Sequence, residues 1–173
     1  MKKMTRSFLL GLLAVLVVLQ FFQIDKTNPP AVPGKDFIAI ENPPAEVGTM
    51  LKNACYDCHS NQTAYPWYTY IQPTGWWIKG HINGGRKHLN YSAWADLSGK
   101  DRSEAFEEML EVVKEGEMPL KSYTWGHPEA RLSNTQRQAL ATWFGAKHSG
   151  KATPADVQDV PDAGDSFRDD DDD

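Results

Sequence analysis

The stretch "NACYDCHSN", residues 53–61, holds both cysteines of the chain, Cys55 and Cys58, with His59 directly after them. Two cysteines at i and i+3 lie on one side of a helical turn, so both sulfurs can reach the same edge of a flat ligand. C-x-x-C-H is the attachment sequence for c-type haem, in which the sulfurs take the two vinyl groups and the adjacent histidine is aimed at the iron. Other readings of the pair fit less well. A thioredoxin-like pair needs a βαβ context, which the sequence lacks. A disulfide between cysteines this close closes too small a loop to stabilise much. Structural zinc takes about four protein ligands, and Cys55, Cys58 and His59 cannot all reach one tetrahedral ion. The expectation is one covalent haem c per chain, bound through Cys55 and Cys58, with His59 on the iron.

The opening "MKKMTRSFLLGLLAVLVVLQFFQIDKTNPP" agrees with that chemistry, because covalent haem is installed after export. A basic start precedes an apolar run from Phe8 to Ile24, broken only by Gly11, Gln20 and Gln23. This pattern is an export signal. As a helix, the run is roughly 25 Å long against a hydrocarbon core of about 30 Å, within the length range of spanning helices. No small-x-small cleavage site follows, which predicts an uncleaved transmembrane anchor. Lys2, Lys3 and Arg6 then stay cytoplasmic. The remainder is expected on the periplasmic side, anchored to the inner membrane.

Charge separates by segment. Residues 31–153 carry 13 Lys and Arg against 13 Asp and Glu, while residues 154–173 hold nine Asp against Arg168; the net charge of −5 therefore describes a tail. No basic face points to nucleic acid. The sequence divides into a signal-anchor helix and the start of a tether over 1–30, a haem-binding domain over 31–148 and an acidic tail over 149–173, expected to be disordered.

Within the domain, "DFIAI" reads as an extended segment after a proline-rich tether. A first helix follows Pro43 and Pro44, with Val47, Leu51, Ala54 and Cys58 on one face. A second covers 74–89, weakened by Gly84 and Gly85. A third starts on an Asp101/Glu104 capping box and ends at Gly116; a fourth starts on a Ser133/Gln136 box and carries Ala139, Leu140, Trp143 and Phe144. The stretch between these two is too rich in Gly and Pro to predict an element, and no stretch alternates as a strand would. The fold class is all-α.

"NACYDCHSN", "YPWYTYIQP", "GHINGGRKHLNYSAW", "GEMPL" and "HPEARLSNTQRQALATWF" together resemble the bacterial haem-binding domain family: small exported proteins with one C-x-x-C-H and a cytochrome c-like plan. The similarity covers roughly residues 40–148. It implies a mono-haem helical domain and, from the order haem pentad, helices, Met-Pro, final helix, a second iron ligand at Met118. A thioether on the iron raises the reduction potential. Met109, on the apolar stripe of the third helix, is expected in the core. His81 and His88 share a helix face with Trp77 and are the rival ligands. His127 reads as a turn residue, and His148 as a cation at a helix C-terminus. Trp67, Tyr68, Tyr70, Trp76 and Trp77 could wall the porphyrin, and Arg86 and Lys87 could meet its propionates.

Iron with two protein ligands has no vacancy for substrate, which favours a single-electron carrier over an enzyme. The alternative is a peroxidase-like haem enzyme or a gas or redox sensor with an open iron, using His81 and Arg86. A redox partner protein is implied, of a kind the sequence does not specify.

Overall fold

In the computed structural model, which describes residues 2–150, every regular element is helical. The α-helices are α1 (Lys2–Leu19), α2 (Phe37–Glu41), α3 (Ala45–Ala54), α4 (Tyr56–His59), α5 (Thr74–His88), α6 (Gly99–Lys114), α7 (Lys121–Gly126) and α8 (Asn134–His148). Short 3-10 helices cover Trp67–Tyr70, Tyr91–Asp96 and Pro128–Ala130. No strand occurs among the described residues, as the absence of alternating segments predicts. The expected disordered tail lies, from residue 151 onward, outside them. The chain forms two compact units. One takes residues up to Glu41 together with Leu51–Leu97, and the other takes Asn42–Met50 and the chain from Ser98.

The first unit is organised by aromatic rings. Phe37 is fully buried, with its ring 4.6 Å from Trp94 in an edge contact and 4.8 Å from Tyr91. The segment "DFIAI" is therefore helical where an extended run is expected. Asp36 starts the turn, its carboxylate accepting from the Ile38 amide at 3.1 Å and from the Tyr56 hydroxyl at 2.7 Å. The ends of α2 and of the 91–96 turn are pinned as well: Trp94 donates its indole N–H to Glu41 at 2.8 Å.

The continuous helix expected to reach Cys58 is interrupted. Cys55 leaves the helical region (φ −125°) and the chain re-enters a single turn at Tyr56, whose ring is buried 5.2 Å from Tyr91. Burial of that ring requires a change of direction that an unbroken helix does not allow.

The N-terminal expectation also needs correction. No helix among the described residues is long and apolar enough to cross a membrane. The spanning helix expected through Ile24 stops at Leu19. Its apolar part, Phe8–Leu19, is about 18 Å long at 1.5 Å per residue, well short of a ~30 Å hydrocarbon core. Gln20 and Gln23, which interrupt the apolar run, account for the end. Gln20 donates to the Leu16 carbonyl at 2.7 Å and pairs with the Gln72 backbone through both its amide nitrogen and its oxygen, while Gln23 donates to the Tyr70 carbonyl at 3.1 Å.

In the second unit α6 packs on α8. Phe106, Met109 and Val113 of α6 and Ala139, Leu140, Trp143 and Phe144 of α8 are buried. Phe106 meets Trp143 edge-on at 5.9 Å, and Gly145 admits Leu110. Met109 is a core residue, as its stripe position predicts. Two boundaries differ from expectation. The box of α6 is Ser98 with Asp101, so the helix starts two residues before Asp101; the serine hydroxyl is the better partner for the free N–H groups there. And α7 with the 128–130 turn fills the stretch expected to be irregular, ordered in part by Arg131, which donates to the Thr124 carbonyl at 3.1 Å. The Ser133/Gln136 box of α8 is formed as the sequence predicts.

Removing the cap tests the corrected start: Ser98→Ala should cost about 1 kcal/mol in chemical denaturation, and Glu104→Ala well under half of that. Phe106→Ala should cost about 3–5 kcal/mol, the range for deleting a buried ring that cannot be refilled.

Candidate functional site

Cys55 caps α4, and Cys58 and His59 are its last two residues, so one turn of backbone carries all three. The carbonyl of Cys55 accepts from the amides of Cys58 (3.2 Å) and His59 (2.9 Å), which closes the turn. Both thiols are unpaired and half-buried. The loop that follows is tied back to the turn. The buried Ser60 hydroxyl donates to the Tyr56 carbonyl at 2.7 Å and accepts from the Gln62 amide, while the Asp57 carboxylate accepts from the Ala64 amide at 2.9 Å.

The turn rests on the C-terminal half of α5, at Gly85. A Cβ at this position would stand 2.7 Å from the Cys58 carbonyl oxygen and 3.3 Å from the Cys58 Cβ, closer than packed atoms approach. Gly84, its neighbour, has open space at the same point. Two glycines that weaken the helix in a propensity reading thus differ: one is required by contact, the other is not.

Beyond α5 the chain completes the surroundings of His59. The Leu89 carbonyl lies 3.1 Å from Nδ1 of His59. A carbonyl only accepts, so the proton sits on Nδ1 and the lone pair on Nε2, the arrangement that fixes a metal-ligating imidazole. Burial holds the imidazole below its ordinary pKa, which keeps that lone pair available at neutral pH. Tyr91 is buried with its ring 6.1 Å from the imidazole, and its hydroxyl hydrogen-bonds the Cys55 thiol. Desolvation pushes the Cys55 thiol up to about 12 and the Cys58 thiol up to about 11, the latter against the opposing pull of Arg86. Both sulfurs are therefore protonated and weakly nucleophilic in the folded chain.

Arg86, weighed as a propionate partner, is engaged with the loop after α4. Its Nε donates to the Ser60 carbonyl and its Nη2 to Asn28 and to Thr63, each at 2.7 Å, so it stitches the loop after α4 to α5. Lys87 is exposed. His81 keeps to its own helix, with Nδ1 2.9 Å from the Trp77 carbonyl and its ring 4.3 Å from Trp77; His88 is exposed. Trp67, Tyr70, Trp76 and Trp77 stand out from the core.

Met118 belongs to the second unit. Its amide donates to Val112 at 3.1 Å, and Arg137 of α8 donates to the carbonyls of Met118 (2.9 Å) and Val113 (2.7 Å), so its backbone is clamped while its side chain is half-buried. His127, expected to be a turn residue only, is held on two sides: Nδ1 lies 2.9 Å from the Glu129 carboxylate, and the ring stacks on Tyr123 at 4.2 Å. His148 ends α8 with Nδ1 3.0 Å from the Ser103 carbonyl.

Gly85, the Leu89 carbonyl and Tyr91 were not readable as site components; they reach the turn only through packing. A histidine oriented through Nδ1, with two neutral unpaired thiols on the same helical turn, suits a metal-centred macrocycle. Among the described residues no group of three or more His, Cys, Asp or Glu is placed to hold a bare metal ion. The class so defined is a helical haem protein. The haem-binding domain family, Haem_bd, matches residues 14–146, more than half of the chain, and the chain belongs to that family. The match starts within α1, earlier than the domain start at residue 31 that the sequence suggests. No curated protein and no solved structure matches the chain.

Gly85→Ala should lower the thermal midpoint and the yield of haem-loaded protein, whereas Gly84→Ala should leave both unchanged or raise the midpoint. In the haem-free chain, alkylation by iodoacetamide should keep accelerating as pH rises from 9 toward about 11 instead of levelling near 9, the ordinary thiol value. The same shift sets a sign for stability: folding favours the protonated thiols, so their contribution is intact below pH 9 and is lost as pH rises through 11–12.

Proposed function

We propose that this chain attaches one haem covalently through Cys55 and Cys58, with His59 on the iron, and carries single electrons as an exported cytochrome c-like protein. The supporting observation is the α4 turn, which presents both thiols and an imidazole whose free nitrogen is Nε2. When bound, the group supplies one-electron iron chemistry. The residues supply the rest. Leu89 holds the Nδ1 proton, Tyr91 and Gly85 keep the turn in a dry setting, and Arg86 fixes the loop that closes over it.

Met118 supplies the second iron ligand in this reading, which rests on its Met-Pro position before the last helix and on a backbone clamped by Arg137. With both ligands from protein, the iron has no vacancy for substrate, so the carrier is favoured over a peroxidase-like enzyme or a sensor. A second reading gives the ligand position to His127, because a carboxylate on Nδ1 is the usual support of a metal-bound imidazole.

Export is supported by the basic start and apolar run of the N-terminus. Attachment to the membrane is supported by the side chains of Leu9, Leu12, Leu13, Val15 and Val18, exposed around α1. The electron partner is a redox protein reached on the exported side.

Denaturing electrophoresis with haem staining should show a stained band that survives acid-acetone extraction, and loss of the stain on extraction would remove the covalent reading. Met118→Ala should abolish the long-wavelength sulfur-to-iron absorption of the oxidised protein, lower its potential and open it to carbon monoxide. If His127→Ala does this instead, the histidine is the ligand.

A further inference from the structure

The C-terminal end of α1 does not hang free of the first unit. Trp76, at the start of α5, donates its indole N–H to the Phe22 carbonyl at 2.8 Å. Lys26 stands 3.8 Å over the ring of Tyr70, beside the contacts of Gln20 and Gln23 with Gln72 and Tyr70. In a 3-10 helix the residues at i and i+3 eclipse one another, so Trp67 and Tyr70 project from the same side of their turn while Thr69 is buried. Both are exposed, at 74% and 57%, and so are Phe21, Phe22, Ile71 and Trp76. Large exposed apolar and aromatic side chains of residues 67–76 therefore lie alongside the segment that follows α1.

This patch is separate from the haem-attachment turn. The turn touches α5 at Gly85, and Trp76 lies nine residues earlier, about 14 Å along the helix axis. Charge also distinguishes the region. Between Met1 and Lys35 the sequence has one carboxylate, Asp25, and between Cys58 and Ala95 it has none; Lys26 and Lys79 are the cations on the collar side, and Arg86 and Lys87 lie at the other end of α5. Asp25 is engaged with the Thr27 amide at 2.8 Å. A helix apolar on all sides, with Trp and Tyr beside its inner end, has the order of groups that meets acyl chains and then the interface.

We propose that Phe21, Phe22, Trp67, Tyr70, Ile71 and Trp76 form an aromatic collar seated at the headgroup level of a phospholipid bilayer that takes up α1. The collar deepens the membrane attachment given above and rests on it. It would hold the first unit at a fixed height on the surface, because the collar and the attachment turn occupy opposite ends of α5.

The holoprotein in vesicles of phosphatidylethanolamine and phosphatidylglycerol provides the test, using phospholipids that carry a photoactivatable diazirine either beside the headgroup or at the end of an acyl chain. Adducts are located by mass spectrometry of peptides. The headgroup probe should mark 20–24 and 66–77 severalfold more than the peptide of Trp125, which is as exposed but lies in the other unit. The acyl-end probe should mark 8–19. Marking of 8–19 without 66–77 would overturn the collar and leave membrane attachment standing; marking of neither would remove both. Equal marking of Trp125 would show that exposure alone governs the labelling and would overturn the collar. Trp67→Gln with Tyr70→Gln should reduce the headgroup adduct on 66–77 severalfold with an unchanged haem spectrum, and an undiminished adduct would count against the collar.

Discussion

The contact between Gly85 and the Cys58 carbonyl sets the position of everything near the turn that carries Cys55, Cys58 and His59. A helix backbone and a one-turn helix can approach this closely only where a side chain is missing, and Gly85 is that point. Once α5 is seated there, Arg86 faces the loop after His59, Leu89 brings its carbonyl to Nδ1, and the chain turns so that Tyr91 enters the core beside Cys55. Each contact depends on the register of α5. A shift of one residue would bring Arg86 or Gly84 to the carbonyl, and only the second lacks a side chain.

Electrostatics follow from that packing. Desolvation raises both thiols and lowers the imidazole, so all three groups are neutral at physiological pH. A turn with neutral groups can be buried at modest cost, whereas two thiolates would need partners the site does not provide. The half-buried guanidinium of Arg86 and the Asp57 carboxylate are the charges beside it, and the three hydrogen bonds that Arg86 makes at 2.7 Å all go to oxygen atoms of the chain. Arg86 is thus a structural cation.

The second unit is held by different means. Its α6–α8 pair is an aromatic and aliphatic seam with capping boxes at both N-termini. Arg137 leaves α8 to hold the carbonyls of Val113 and Met118, which makes the loop after α6 part of the same framework. Backbone clamping of that kind restricts the movement of the segment that carries Met118.

The sequence alone determined the helical class and most helix positions, and it singled out Cys55, Cys58 and His59, because these depend on local chemistry: the spacing of those three residues, apolar periodicity in α6 and α8, and the Ser133/Gln136 box. It misplaced the segments whose conformation depends on distant partners. Phe37 is helical because its ring must enter the pocket of Trp94 and Tyr91, and α1 ends at Leu19 because Gln20 finds the backbone of Gln72, 52 residues away. The roles of Gly85, Tyr91, Arg86 and His127 were likewise decided only by tertiary structure. A glycine, a tyrosine or an arginine carries no sign in sequence of which carbonyl or thiol it will meet, since that meeting is fixed by the packing of whole helices and not by neighbours along the chain.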